Sequence, residues 1–219
     1  MELYKEDIQR CFERIKGDVG DKLKQFEEIK REKDESKAFK ELVFCLLTPQ
    51  SKAEVCWKVV LELEKAGLLF SSPEKISEKE IENLIRGVRF KKNKTKYIIL
   101  AKKMFLKDGV PLVFKKVPFE RGSLFARKWL VKNVKGLGFK EASHFLRNIG
   151  FYEDIAILDR HILRCLETLG VIDKMPKTLT EKRYLKIERK MRKFSKNVNV
   201  PMHYLDFVFW YLATGRIFK

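Results

Sequence analysis

Two residues in this chain stand where covalent chemistry is possible. Lys140 comes just after Gly136-Leu137-Gly138-Phe139. The pattern predicts a helix ending near Lys135, a tight turn across the glycines, and a second helix starting near Phe139. Lys140 then falls in the first turn of that second helix. The helix dipole disfavours a positive charge there, and partial burial disfavours it further, so both raise the share of neutral amine. A neutral amine can attack a sugar C1′, expel a base and persist as a Schiff base. The same lysine can also clasp a phosphate, and Lys140 alone does not separate the two readings.

Asp159 is the second residue. It directly follows the apolar run Ile155-Ala156-Ile157-Leu158 and precedes a helical pattern through Ile162, Leu163 and Leu166. Asp is a common helix N-cap. Capping would hold the carboxylate rigid at the mouth of a site, where it can stabilise an oxocarbenium ion or assist proton movement. The paired glycines have their own use. Gly136 and Gly138 let the backbone turn tightly and present amide groups, next to a helix N-terminus, as a phosphate site that reads no bases. This is the logic of a helix–hairpin–helix.

The elements that must position these groups are helical. Ile8, Cys11, Phe12 and Ile15 keep helical spacing, as do Phe39, Leu42, Val43 and Leu46. Ser77 and Glu80 form a capping-box pattern. Tyr97, Ile98, Ala101, Met104 and Phe105 predict another helix, ended by Gly109 and Pro111. Breakers at Gly17–Gly20, Gly67–Pro73, Gly87, Gly109–Pro118, Gly136–Gly138, Gly150 and Gly170–Pro176 divide the chain into roughly ten helices, with no need for strands. An all-α fold is expected.

A formal net charge of +18 points to a polyanionic partner, DNA or RNA, although Lys/Glu enrichment also fits a thermophile surface. The run Lys91–Lys96 is either a nucleic-acid contact or a solvated face. Cys11, Cys45, Cys56 and Cys165 lack CxxC spacing and read as buried free thiols in a reduced, cytoplasmic setting, so neither disulfides nor a metal are expected. The first residues carry no signal-peptide pattern, and the longest apolar stretch, Phe207–Ala213, is too short to cross a bilayer. No membrane partner is expected.

KGLGFKEASHFLRNIG followed by AILDRHILR closely resembles the second subfamily of 8-oxoguanine DNA glycosylase/AP lyases, found in archaea and some bacteria. The resemblance extends through LLTPQSKAE, RFKKNKTKYIILAKK and the C-terminal LDFVFWYLATGRIFK, and so touches most of the chain. It implies a helix–hairpin–helix fold of two lobes, with residues 60–168 as the central lobe and residues 1–59 plus 169–219 as the other. It also implies Lys140 as Schiff-base nucleophile, Asp159 as its catalytic partner, and double-stranded DNA containing 8-oxoguanine as substrate. No redox cofactor is implied, though a monovalent cation at the hairpin would suit such a fold. A monomer associated with the nucleoid through DNA is expected.

Further roles follow from the same resemblance. The damaged base is flipped into a pocket, where Phe90 and Trp210 would stack on it, unless both are core aromatics. Lys219 ends the chain, and its terminal carboxylate would read the N7–H that distinguishes 8-oxoguanine from guanine; Ile217 and Phe218 suggest a docked tail rather than a frayed one. Gln50 would fill the gap in the duplex or cap a helix, and Pro49-Gln50 stands where some relatives have asparagine. His161 would orient Asp159, contact phosphate or serve structurally. His144 and His203 receive no role. Two rival functions are a glycosylase of this scaffold for an oxidised pyrimidine and a non-enzymatic DNA-binding module.

Overall fold

Apolar residues recur along one face from Ile8 through Ile15, Val19, Leu23 and Phe26 to Ile29, and all of them are buried. One helix, α1 (Lys5–Glu32), carries this face straight through Gly17 and Gly20, where breakers were expected. Burial along the stripe overrides the propensity cost of the two glycines. Gly20 also has a packing use: a Cβ there would lie 3.4 Å from the hydroxyl of Tyr204. The structure, a computed structural model, describes residues 3–219.

The chain continues through α2 (Glu35–Leu47), α3 (Ala53–Lys65), α4 (Glu78–Leu84), α5 (Lys91–Phe105), the single turn α6 (Val113–Lys116) and α7 (Ser123–Asn133). It ends with α8 (Phe139–Asn148), α9 (Arg160–Thr168), α10 (Glu181–Asn197) and α11 (Met202–Thr214). The fold is all-α, as expected, and the capping box at Ser77 and Glu80 starts α4. The absence of strands needs a small correction. Leu106–Lys107 pairs antiparallel with Val110–Pro111 around Asp108 and Gly109, both at positive φ. Asp-Gly between two short segments is a hairpin turn signal, and it sits where the breakers Gly109 and Pro111 predict only a helix end.

The buried side chains form two cores. One takes in Ile29 and residues of α2 through α8, as far as Ile155. The other joins α1 to Ala156, Leu158 and the helices α9, α10 and α11. The packing changes from one core to the other near residues 29 and 155. Helix α2 is buried on nearly all sides, so it belongs with the hairpin, whereas α9 lays its apolar face against α11. Helix α8 bridges the seam. Phe139 packs against the second core, while Ala142, Phe145, Leu146 and Ile149 enter the first.

A buried polar cluster also crosses the seam. Arg127 of α7 donates two hydrogen bonds to Glu188 of α10, at 2.6 and 2.9 Å, and a third to Ser143 of α8. Such a pair contributes little net stability against its desolvation cost, but it holds the helices in one arrangement. The four cysteines are buried free thiols, and among the described residues no helix is long and apolar enough to cross a membrane.

Candidate active site

The hairpin is built from local rules. Helix α7 ends at Asn133, and Leu137 is buried beneath the turn. Gly136 holds φ at 98°, and a Cβ there would fall 2.5 Å from the Tyr97 ring. Gly138 is the N-cap of α8, where its N–H donates to Glu141 at 3.3 Å. Lys140, the second residue of α8, is half-buried, and its ammonium lies 3.9 Å from Glu141.

Asp159 arrives along a segment outside any helix or strand, whose position is set by α10. Ala156 N–H donates to Glu188 at 2.7 Å, the hydroxyl of Tyr184 donates to Ala156 O at 2.6 Å, and Leu158 N–H donates to that same hydroxyl at 3.1 Å. The Asp159 carboxylate then accepts from Ile162 N–H at 2.9 Å, capping α9. The capping expectation holds, and the cap fixes the carboxylate's direction. Sequence reasoning gave no role to Tyr184 or Glu188, because nothing near them in the chain marks them as supports for residues 156–158.

Both groups line one cleft of about 920 Å³ along the seam. Gln50, His161, Trp210 and Lys219 line it too. The His161 ring meets the Trp210 ring edge-on at 5.1 Å. Lys52, Arg89 and Arg160 are exposed at its margin, where cations attract phosphates. Deeper in, Arg147 donates to Asp206 at 2.9 Å. Burial pushes the Asp206 carboxyl up, against the pull of Arg147. Three of the expected residues are not on the wall. Gly136 and Gly138 sit in the turn below Lys140. Phe90 is 54% exposed at the start of α5, with its ring 5.5 Å from the Arg89 guanidinium, so it does not face Trp210 across the cleft.

The chain's end is docked. Phe218 packs against the first core and Ile217 against the second. The Lys219 ammonium bonds to the buried Glu41 carboxylate and lies 3.1 Å from the centre of the Trp57 ring. Glu41 is held from its other side by Asn148 at 2.8 Å. His144, to which the sequence assigned nothing, sits 3.2 Å through Nε2 from the backbone oxygen of Lys219. Burial holds its imidazole well below the usual range, so the ring is neutral, and it must donate from Nε2 to an oxygen that can only accept. These partners lie far apart in the chain, and only Lys219 was visible as a candidate.

An all-helical, two-core fold with a glycine hairpin and a capped aspartate on one cleft is the architecture of the helix–hairpin–helix DNA glycosylases. The profile of the family described as 8-oxoguanine DNA glycosylase matches residues 19–200. The 8-oxoguanine DNA glycosylase/AP lyase of Fusobacterium nucleatum is 42% identical over 219 residues, covering 99% of this chain and 98% of that one. The Methanocaldococcus jannaschii 8-oxoguanine glycosylase/lyase, solved in complex with 15mer DNA containing 8-oxoguanine, superposes with a TM-score of 0.85 at 35% identity, over 98% of this chain and 99% of that one. The Thermotoga maritima 8-oxoguanine DNA glycosylase superposes with a TM-score of 0.84 at 32% identity, over 98% of each chain. The chain belongs to the 8-oxoguanine DNA glycosylase family.

Proposed function

We infer that this protein removes 8-oxoguanine from duplex DNA and cleaves the resulting abasic strand, with Lys140 as nucleophile and Asp159 as its catalytic partner. One observation carries the assignment of roles: a single cleft collects a lysine in the first turn of α8, a rigidly capped aspartate, an aromatic face and the docked terminal carboxylate. Family membership and the likeness to a structure holding 8-oxoguanine DNA support the substrate.

The glycosidic bond is out of reach inside the base stack, so the damaged nucleotide leaves the duplex and enters the cleft. Trp210 offers it an aromatic face. One oxygen of the Lys219 carboxylate is engaged by His144, and the carboxylate retains acceptor capacity for the N7–H of 8-oxoguanine. Guanine has a lone pair at N7 and would face that carboxylate acceptor to acceptor. The nitrogen of Lys140 attacks C1′ through its lone pair. The bond to the base breaks, and its electron pair leaves with the base, which takes a proton. Asp159 stabilises the positive charge that develops on the sugar. Loss of the remaining amine protons and opening of the sugar ring yield the Schiff base. Removal of a C2′ proton then expels the 3′ phosphate, and water releases Lys140. No redox change occurs.

Borohydride trapping on a duplex with one 8-oxoguanine opposite cytosine tests this directly, run beside undamaged duplex and Lys140→Gln. The expected result is a covalent adduct only with damaged DNA and intact Lys140. An adduct that survives Lys140→Gln would remove this lysine from the chemistry. Trapping on an oxidised pyrimidine but not on 8-oxoguanine would overturn the substrate. Tight, salt-sensitive binding with no adduct on any lesion would leave a DNA-binding module.

A further inference from the structure

The chemistry assigned to the cleft leaves one buried charge unused. Lys94, inside the basic run Lys91–Lys96, is only 2% exposed, although Lys91, Lys92 and Lys96 face solvent. Its ammonium donates to Leu47 O at 2.6 Å, Pro49 O at 2.7 Å and Ser51 Oγ at 3.1 Å. All three of its protons go to a single segment, the turn between α2 and α3. Leu47 O is an end-of-helix carbonyl of α2, where a cation also meets the favourable end of the dipole. Ser51 is tied from the other side, accepting from Arg89 N–H at 3.1 Å.

Gln50 lies between two of these acceptors. It is exposed, lines the cleft and holds φ at 54°. A left-handed conformation at a residue other than glycine persists only where its surroundings over-determine it. The bonds from Lys94 to the carbonyl before Gln50 and the hydroxyl after it supply that constraint.

We propose that Lys94 is the positioning residue for Gln50, gathering the Leu47–Ser51 turn around its ammonium so that the glutamine faces the cleft and can fill the gap left by a flipped base. The proposal rests on the reading of Gln50 as the gap-filling residue. It carries a pH dependence. Burial lowers Lys94 to about 8. The groups facing it are Cys56 on α3, Arg89, and Lys140 and Glu141 on α8. Cys56, raised to about 11 by burial, stays a neutral thiol through this range. Once the ammonium loses a proton, two N–H groups remain for three acceptors, and the turn gives up one of its ties.

The experiment is equilibrium binding to a duplex carrying a tetrahydrofuran abasic-site analogue opposite cytosine, against the same duplex undamaged. The ratio of the two affinities isolates gap filling from general phosphate attraction and needs no catalysis. Gln50→Ala should lower the ratio about fivefold to tenfold, the scale of one or two lost hydrogen bonds. Lys94→Met should lower it comparably, and the double variant should be no worse than either single one. In the unaltered protein the ratio should fall between pH 7 and pH 9, while in Gln50→Ala it should stay flat. If Lys94→Met does not fold, the pH series decides alone. A ratio unchanged by Gln50→Ala overturns the reading of Gln50, and the Lys94 proposal with it. A ratio lowered by Gln50→Ala but insensitive to pH in the unaltered protein overturns the Lys94 proposal alone. Additive losses in the double variant overturn it as well.

Discussion

At the hairpin end of the cleft, six consecutive residues supply nearly everything. Gly136 makes the turn, Leu137 anchors it, Gly138 caps α8, and Phe139, Lys140 and Glu141 follow in the first helical turn. At the other end, Lys219 is held by Glu41, Trp57 and His144 from α2, α3 and α8, with Asn148 holding Glu41 from behind. The first arrangement is local, and turn chemistry and helix capping specify it. The second is a cage with no local signature, in which buried charges satisfy one another across the fold. In the proposed function the hairpin end takes phosphates of any sequence, and the tail end is assigned the reading of the base.

The sharpest way to break this contrast is at the hairpin. Gly136→Ala places a side chain at positive φ and drives a methyl into the Tyr97 ring. The expected cost is on the order of 2–4 kcal/mol in a urea melt, with affinity falling for damaged and undamaged duplex alike. Unchanged stability would mean that the turn relaxes freely and that its rigidity is not what the glycine provides.

A smaller and more selective effect is expected at the tail. Extending the chain by two glycines after Lys219 moves the terminal carboxylate away from His144 and leaves the cores untouched. Excision of 8-oxoguanine should drop at least tenfold, about one charge-assisted hydrogen bond, while affinity for undamaged duplex stays the same. If excision is unaffected, the carboxylate does not read the base and the tail is only a plug.

The smallest effect concerns His144. Its imidazole is held below the usual range in the folded protein, so below about pH 6.5 the unfolded chain binds a proton that the folded one does not. Stability should therefore decline as the pH falls through that value. His144→Gln keeps a donor near the Nε2 position and removes this titration. The stability lost between pH 7 and pH 5.5 should then shrink by on the order of 1 kcal/mol, measured by denaturant melts at each pH. An identical slope in both proteins would place the acid sensitivity elsewhere.

These differences follow what the chain displays locally. Lys140 and Asp159 were readable because each sits at a helix start with its own signal, a glycine turn for one and an apolar run before a cap for the other. The continuity of α1 through Gly17 and Gly20 was not readable, because it depends on the long stripe that α1 buries against α11. Lys94 looked like its solvated neighbours, since nothing in a run of lysines reveals which one points inward.

Helical class, hairpin, the two candidate reactive groups and the family are legible in the chain, because periodicity, turn residues and motif spacing act over a few residues or are carried in the order of the residues. Which charges are buried is settled by the packed fold. It placed Lys94 under the Gln50 turn, Glu188 and Tyr184 behind Asp159, and Glu41 with His144 around Lys219. It also left Phe90 exposed and off the wall of the cleft. Burying a charge is favourable only where partners from distant segments converge on it, and that convergence exists only in the folded molecule.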